Sequence, residues 1–179
     1  NTFGEDSDYS FNTPFYTKLD EQGNILPNET AYWAMVKDNV TGLIWEVKNN
    51  RDDIQDYTNP LDADNTYTWY DSNPNTNGGY AGIPGDGTDT EDFIMALNNS
   101  NFGGHSDWRL PTRKELNALV DYGLINPSIN TQFFPNTVSS KYWTSSTHPY
   151  NRNGVTSAAW RIDFDSGRTH YSDDKSNNN

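Results

Sequence analysis

Apolar and polar residues alternate in two parts of the chain, one near its start and one near its end. Residues 32–36 and 43–47 are apolar stretches joined by "DNVTG", a spacing typical of a β-hairpin. Near the end, "KYWTSS" and "AAWRIDFDSGRTHYS" alternate in the same way, with "DSG" as a turn. The alternation predicts that Trp160, Ile162 and Phe164 face inward. We therefore expect antiparallel strands at both ends of the chain.

Two segments between these strands have helical spacing. In "TDTEDFIMALNN", Thr88 and Glu91 have the spacing of a capping box, which predicts a helix start. In "LPTRKELNALVDYG", Thr112 and Glu115 repeat this pattern, and Gly123 is the predicted helix end. The predicted buried stripes are Phe93, Ile94 and Leu97 in the first helix and Leu116, Leu119 and Val120 in the second.

The remaining segments are long and polar. Residues 1–35 contain several turn residues, so we interpret them as an N-terminal arm or lead-in. Residues 49–88 are rich in Asn, Asp, Gly and Pro, which predicts irregular structure held in place by Tyr67, Trp69 and Tyr70. Strands, a long loop, two helices and further strands predict one α+β domain over residues 36–179, with mixed or antiparallel strands and long irregular loops.

Composition narrows the possible partners. The net charge of -13, from 25 acidic and 12 basic residues, argues against nucleic acid and anionic membranes. No apolar run approaches the ~20 residues of a membrane-spanning helix, so we expect no membrane insertion. The chain has no cysteine, which excludes disulfides, thiolate metal sites and cysteine nucleophiles.

The stretch "GGHSDWRLPTRKEL" places His105, Ser106 and Asp107 side by side, which raises the question of a nucleophile site. Adjacent residues project in different directions and cannot serve one another as nucleophile, base and orienting group. A G-x-S-x-G elbow also needs a final glycine, and Trp108 stands there. We therefore predict that the stretch is scaffold, with Trp108 and Leu110 in the core, and that the protein is not an enzyme.

Aspartates in the long loop raise a calcium hypothesis. Asp62, Asp64 and Asn65 have the alternating oxygen-ligand spacing that hard cations use, and Asp86 with Asp89 is a second candidate pair. Neither pattern is a complete EF-hand loop, which also needs a central glycine and a closing glutamate. Simple solvation of surface aspartates is the alternative, so calcium stays a hypothesis as the cofactor.

Five segments, "VKDNVTGLIWEV", "TDTEDFIMALN", "NFGGHSDWRLPTRKEL", "YWTSS" and "AWRIDFDSG", occur in an order that resembles the Legionella collagen-like protein C-terminal domain family. The resemblance covers residues from about 36 to the end. It implies a C-type-lectin-like fold, shared with formylglycine-generating enzymes whose activity depends on cysteines that this chain lacks. Family members typically finish with a strand similar to "YVRxVRG". This chain ends in "KSNNN", so we expect that strand to be missing.

The resemblance also implies a location and a role. It indicates a secreted or cell-surface module that binds a protein or glycan on a cell or host surface through its C-terminal strands and loops. A structural subunit of an extracellular filament or appendage is the alternative, in which the chain would form a homo-oligomer.

Some proteins similar to this family are variable proteins of diversity-generating retroelements, in which mutation at adenines cannot convert Asn codons to Glu, Gln, Lys, Met or Trp. Residues 148–179 contain no Glu, Gln or Met, and Trp160 and Lys175 are the exceptions there. This pattern is compatible with a diversified surface of amphipathic anchors and adaptable hydrogen-bonding groups. The predicted ligand-binding residues are His148, Tyr150, Asn151, Arg152, Asn153, Arg161, Asp163, Asp165, Arg168, His170, Tyr171, Ser172 and Asp174.

Overall fold

Two small antiparallel sheets lie towards the two ends of the chain, and two helices come between them in sequence. The structure is a computed structural model that describes residues 14–85, 87–149, 156–172 and 174–177. The first sheet contains β1 (Tyr16–Leu19), β2 (Met35–Asp38) and β3 (Ile44–Glu46), and the helices are α1 (Thr90–Asn99) and α2 (Arg113–Asn117). The second sheet contains β4 (Lys141–Thr147), β5 (Ala159–Asp163) and β6 (Arg168–Ser172). The predicted α+β class is confirmed.

The predicted N-terminal hairpin is confirmed as β2 and β3, which pair antiparallel with Val36 opposite Trp45. The side chain of Asp38 holds the turn, because its carboxylate accepts from the backbone N–H of Val40 at 2.9 Å and the hydroxyl of Thr41 at 2.7 Å. Gly42 then takes a φ of 79°, a left-handed conformation that glycine adopts without a steric penalty. Local turn chemistry therefore fixes the register of this hairpin.

Strand β1 lies inside the segment that we interpreted as a lead-in. It pairs antiparallel with β2, and both Tyr16 and Leu19 are buried. Lys18 is also buried, with its ammonium 3.5 Å from the ring centroid of Trp33 and donating to two backbone carbonyls at 2.9 Å. A strand of four residues that buries a lysine shows too little alternation to be recognised in sequence.

The first helix begins one residue later than predicted. The N-cap is Asp89, not Thr88, and its carboxylate accepts from the backbone N–H of Asp92 at 2.9 Å. The second start is as predicted, because Thr112 and Glu115 form a reciprocal capping box. Helix α2 nevertheless ends at Asn117, well before Gly123. The stripe residues Leu116 and Leu119 are buried all the same.

The irregular segment between β3 and α1 is held to the second sheet by two hydrogen bonds, each donated by an indole N–H group on one side to a backbone carbonyl on the other. Trp69 is fully buried, and its Nε1 donates to the carbonyl of Thr144 at 2.9 Å. Trp143 is also buried, and its Nε1 donates to the carbonyl of Tyr67 at 2.8 Å. The prediction that aromatic residues hold this loop is confirmed for Tyr67 and Trp69.

The hydrophobic core consists of two clusters. The larger cluster joins the first sheet, α2 and the second sheet through residues such as Val36, Leu116 and Ile162. The smaller one contains Trp69, Trp143 and Ala159, with Leu110 packed against it. Among the described residues, none of the helices is long and apolar enough to cross a membrane.

Candidate binding surface

Strand β5 is the centre of the second sheet, with β4 on one side and β6 on the other. Its pairing with β6 puts Trp160 opposite Tyr171 and Arg161 opposite His170. Because neighbouring strand residues point to opposite faces, these two pairs lie on different faces of the sheet. The second sheet therefore presents two chemically distinct surfaces.

The first surface is an aromatic cluster, formed by His148, Trp160 and Tyr171. The rings of His148 and Tyr171 are stacked, with centroids 4.2 Å apart and an interplanar angle of 19°. Trp160 meets His148 edge to face at 4.4 Å and Tyr171 at 6.2 Å. Such arrangements stabilise ring pairs beyond the area they bury. Tyr171 remains 43% exposed, so the cluster presents aromatic surface to solvent.

A shallow depression of about 520 Å³ adjoins this cluster at the start of α2. Trp160 forms part of its wall, and Arg113 lies above that ring with its guanidinium carbon 4.6 Å from the centroid. Lys114 and Pro149 line the depression as well. The site therefore combines an aromatic wall with two cationic side chains in a protein of net charge -13.

The opposite face carries Arg161, Asp163 and His170. His170 Nε2 lies 3.9 Å from a carboxylate oxygen of Asp163, and the Arg161 guanidinium lies 5.7 Å from the Trp143 ring centroid. The sequence grouped these residues with Tyr171 as one outward set, whereas the strand register separates them. Trp160 lies on the same face as the buried Ile162, as predicted, but it is only half-buried there and belongs to the aromatic cluster.

The other predicted residues are dispersed around the sheet. Asp165 is exposed in the turn between β5 and β6, Arg168 is exposed as the first residue of β6, and Ser172 is the last residue of that strand. The carboxylate of Asp174 accepts from the backbone and hydroxyl of Ser176 in a separate turn. Tyr150, Asn151, Arg152 and Asn153 lie outside the described residues, although they follow Pro149 directly in sequence.

Lys175 is a residue whose role the sequence did not predict. Its side chain is fully buried, and Nζ donates to the carbonyls of Asn77 and Tyr80, each at 2.8 Å. The same ammonium lies 3.8 Å from the ring centroid of Trp69. Burial lowers the pKa of Lys175 to about 8, with the nearby charge of Asp71 opposing this shift. In the sequence, Lys175 stood out only as one of the two residues of 148–179 that lie outside the set reachable from Asn codons.

The stretch "GGHSDWRLPTRKEL" connects helices and sheets. Gly103 is buried against Met35 of the first sheet at a φ of 64°, a conformation that few residues other than glycine adopt. At the other end, the carbonyl of Pro111 accepts from the backbone N–H of Ser145 in the second sheet at 2.8 Å. Trp108 is half-buried, and its Nε1 donates to the carbonyl of Phe102 at 2.9 Å. These contacts support the interpretation of the stretch as scaffold.

Within the same stretch, Ser106 is exposed, and His105 Nδ1 lies 3.8 Å from a carboxylate oxygen of Asp107. Arg109 and Glu115 form a bidentate ion pair, with N–O distances of 2.9 and 2.8 Å. Hydrogen bonding from Arg109, with further hydrogen bonds from Thr112, lowers the pKa of Glu115 to about 2. The ion pair therefore reinforces the capping box at the start of α2.

The candidate calcium ligands serve as hydrogen-bond acceptors in the long loop. Asp62 is fully buried, and its carboxylate accepts from the backbone N–H of Asp64 at 2.9 Å and from Asn50 Nδ2 at 2.7 Å. Asp64 in turn accepts from two backbone N–H groups at 2.8 Å. The described part of the chain contains no group of three or more His, Cys, Asp or Glu side chains placed to hold a metal ion. Asp86, of the second candidate pair, is not among the described residues.

The fold and this surface define a mixed α+β domain with an aromatic cluster on its C-terminal sheet. Residues 34–179 match the Lcl C-terminal domain family, and the chain therefore belongs to that family. This range includes both helices, the second sheet and the "DNVTG" hairpin, whereas β1 precedes it. No curated protein matches the chain, and no solved structure matches it.

Proposed function

We propose that this protein is a secreted or cell-surface binding module that recognises a protein or glycan on another surface. The observation that carries the proposal is the aromatic cluster of His148, Trp160 and Tyr171, which adjoins a depression with two cationic side chains. Aromatic rings of this kind stack on sugar faces or fill pockets of a protein partner, while Arg and Lys orient the polar groups.

The rings are held in place before any ligand arrives. His148 stacks on Tyr171, and Trp160 is held between the pair and the guanidinium of Arg113. A preorganised surface loses little side-chain entropy on binding, so more of the contact energy appears as affinity. This property favours a recognition role for the cluster.

Family membership supports the wider proposal. We propose within it that the fold is C-type-lectin-like, that the protein performs no chemistry, and that the predicted ligand-binding residues Tyr150, Asn151, Arg152 and Asn153 also take part in recognition. Diversification of that surface by a retroelement belongs to the same proposal. Among the described residues, the two exceptions to the Asn-codon pattern are a half-buried Trp160 and a fully buried Lys175, rather than exposed side chains.

A comparison of matched double variants tests which face of the second sheet binds. We expect His148→Ala with Tyr171→Ala to reduce binding on a glycan array and to cultured cells at least tenfold, because two or more ring contacts are lost. Arg168→Ala with His170→Ala changes the opposite face and the turn, and should leave binding within about threefold of wild type. Tyr32→Ala is the control for loss of an exposed ring, since Tyr32 is 88% exposed and lies outside the sheet.

Melting temperatures measured alongside show that each variant is folded. Loss of binding in the Arg168–His170 variant, with full binding in the His148–Tyr171 variant, would place recognition on the other face. A wild-type protein that binds no glycan, protein or cell surface would contradict the proposed function as a whole.

A further inference from the structure

A central cavity of about 550 Å³ lies between the two core clusters. Its wall is formed by β3, the loop at residues 63–67, α1, the "GGHSDWRLPTRKEL" stretch and the start of β4. This volume is within the range of small-molecule sites, roughly 300–1,000 Å³. None of the aromatic-cluster residues lines it, so the cavity is separate from the proposed binding surface.

Large aromatic side chains supply much of the apolar part of the cavity wall. Water in such a space makes few hydrogen bonds, whereas a flat ring system stacks against the same residues. The aromatic residues of the wall are Trp45, Tyr67, Phe93, Trp108, Tyr142 and Trp143.

Four charged groups of the wall are engaged with one another in two ion pairs, and Asp64, Asp107 and Lys141 are its remaining charged residues. Lys48 lies 3.4 Å from a carboxylate oxygen of Glu46 and 4.3 Å from the ring centroid of Phe93. Arg109 is held by Glu115 in the bidentate pair at the start of α2. A charged ligand would lose its hydration without gaining a free counter-charge from these two pairs, and the aromatic side chains of the wall likewise favour a neutral molecule.

Two polar atoms of the wall residues have no hydrogen-bond partner within the described parts of the chain. One is the indole Nε1 of Trp45, a donor, and the other is the side-chain oxygen of Asn65, an acceptor. Buried donors and acceptors without partners are rare in native proteins and cost free energy. A hydroxyl group, which both accepts and donates, would satisfy either atom.

We infer that the central cavity binds a neutral, flat, amphipathic molecule whose rings stack on the aromatic wall and whose hydroxyl group hydrogen-bonds to Trp45. His105 and Asp107 belong to the wall and have exposed side chains, so we place the route from solvent beside them. Ligand selection therefore depends on ring shape and on one hydroxyl group rather than on charge.

Two probes that differ only in the hydroxyl group test this inference. We expect 2-naphthol to bind the wild-type protein at millimolar concentration or below, and naphthalene to bind about tenfold more weakly, measured by saturation-transfer NMR. The factor corresponds to one hydrogen bond. In Trp45→Phe the indole N–H is removed, so the preference for 2-naphthol should fall to less than threefold.

A second pair of variants tests the location. Ile94 belongs to the wall on α1, whereas its neighbour Met95 is 52% exposed and outside it. Ile94→Trp adds bulk to the cavity and should abolish binding of both probes. Met95→Trp adds the same side chain on the solvent side and should leave binding unchanged.

Three results would overturn the inference. The first is no binding of 2-naphthol by the folded wild-type protein up to its solubility limit. The second is an unchanged preference for 2-naphthol in Trp45→Phe. The third is full binding by an Ile94→Trp protein with wild-type near-ultraviolet circular dichroism. If Ile94→Trp does not fold, the first two results decide whether the cavity binds such a molecule. Neither result depends on whether the aromatic cluster of the second sheet binds a partner.

Discussion

Lys175 shows how a single residue can hold distant segments together. Its ammonium contacts carbonyls of Asn77 and Tyr80, and its backbone carbonyl accepts from the N–H of Trp69 at 2.8 Å. Its own N–H donates to the carbonyl of Ser157 at 3.0 Å. A buried cation is costly unless partners compensate for lost hydration, and here two carbonyls and an indole ring provide that compensation.

Lys175→Met keeps the length of the side chain but removes the ammonium group. The backbone carbonyls of Asn77 and Tyr80 then lose the hydrogen bonds that Lys175 donates. We expect the free energy of unfolding to fall by about 2–4 kcal/mol, measured by urea denaturation at pH 7. Lys114→Met is the matched control, since Lys114 is exposed and should lose less than about 0.5 kcal/mol. An equal loss in both variants would contradict a structural role for Lys175.

The lowered pKa of Lys175 also predicts a pH dependence. Because the folded-state pKa is about 8, against 10.5 for the ordinary side chain, the unfolded chain binds more protons between these values. The contribution of Lys175 to stability therefore rises as pH increases from about 8 to 10.5. In urea denaturation, the wild-type minus Lys175→Met difference should grow over this interval. A constant difference would contradict the shift.

At the scale of elements, prediction succeeded where the relevant chemistry is local. The capping box of α2 and the "DNVTG" hairpin each depend on residues within a few positions of one another. The end of α2 depends on the segment that follows it instead, because Val120 forms a bridge with Ile129, nine residues on, and leaves the helical path before Gly123. Strand β1 also depends on non-local contacts, since Tyr16 packs edge to face on Phe134 at 5.7 Å.

The same distinction applies to the candidate sites. Alternation in "AAWRIDFDSGRTHYS" predicted the strands, but the central cavity and the location of Lys175 arise from segments far apart in sequence. The pairing of Trp160 with Tyr171 likewise depends on the register across the β5–β6 turn. Residue types therefore predicted the presence of aromatic and cationic groups, and only the folded chain showed which of them meet.

The capping box of α2 gives a second test with a pH dependence. Glu115→Gln keeps the hydrogen bond to the N-cap but removes the charge that pairs with Arg109. We expect a loss of about 0.5–1 kcal/mol at pH 7, because this ion pair is partly exposed. Glu29→Gln changes an exposed glutamate elsewhere and is the matched control.

Glu115 has a folded-state pKa of about 2, below its ordinary value of 4.5, so its contribution is complete above pH 4.5. It is lost as pH falls from 4.5 towards 2. Melting temperatures of wild type and Glu115→Gln should therefore converge over this interval. A difference that persists at pH 2 would show that the charge is not its source.

At the scale of the whole molecule, the irregular chain before α1 is structurally part of the C-terminal half. Its two indole bonds lead to β4, and Lys175 closes the same region from the other side. The first sheet meets the region of α1 through the glycine turn at Gly103 and through Phe93, whose ring centroid lies 4.3 Å from the Lys48 ammonium just after β3. Segments that are neighbours in sequence are therefore not always the segments that stabilise one another in this domain.

Hydrogen exchange followed by mass spectrometry checks whether the irregular segment before α1 unfolds together with the second sheet. We expect peptides around Trp69 to exchange together with β4 and β5, because the indole bonds make them one cooperative unit. Trp69→Phe, which leaves the carbonyl of Thr144 without its donor, should raise exchange in both regions and leave β1 and β2 near wild type. Acceleration confined to the loop would contradict the coupling.

The close packing of Gly103 on Met35 has a consequence for how the sequence can vary. A methyl group at position 103 would collide with the sulfur of Met35, and the backbone there already has a positive φ. His105 lies two residues further on and is half-buried, and Ser106 lies three residues further on and is exposed. Within "GGHSDWRLPTRKEL", the positive φ and the packing on Met35 therefore make Gly103 harder to replace than the exposed Ser106, although only the serine resembles a catalytic group.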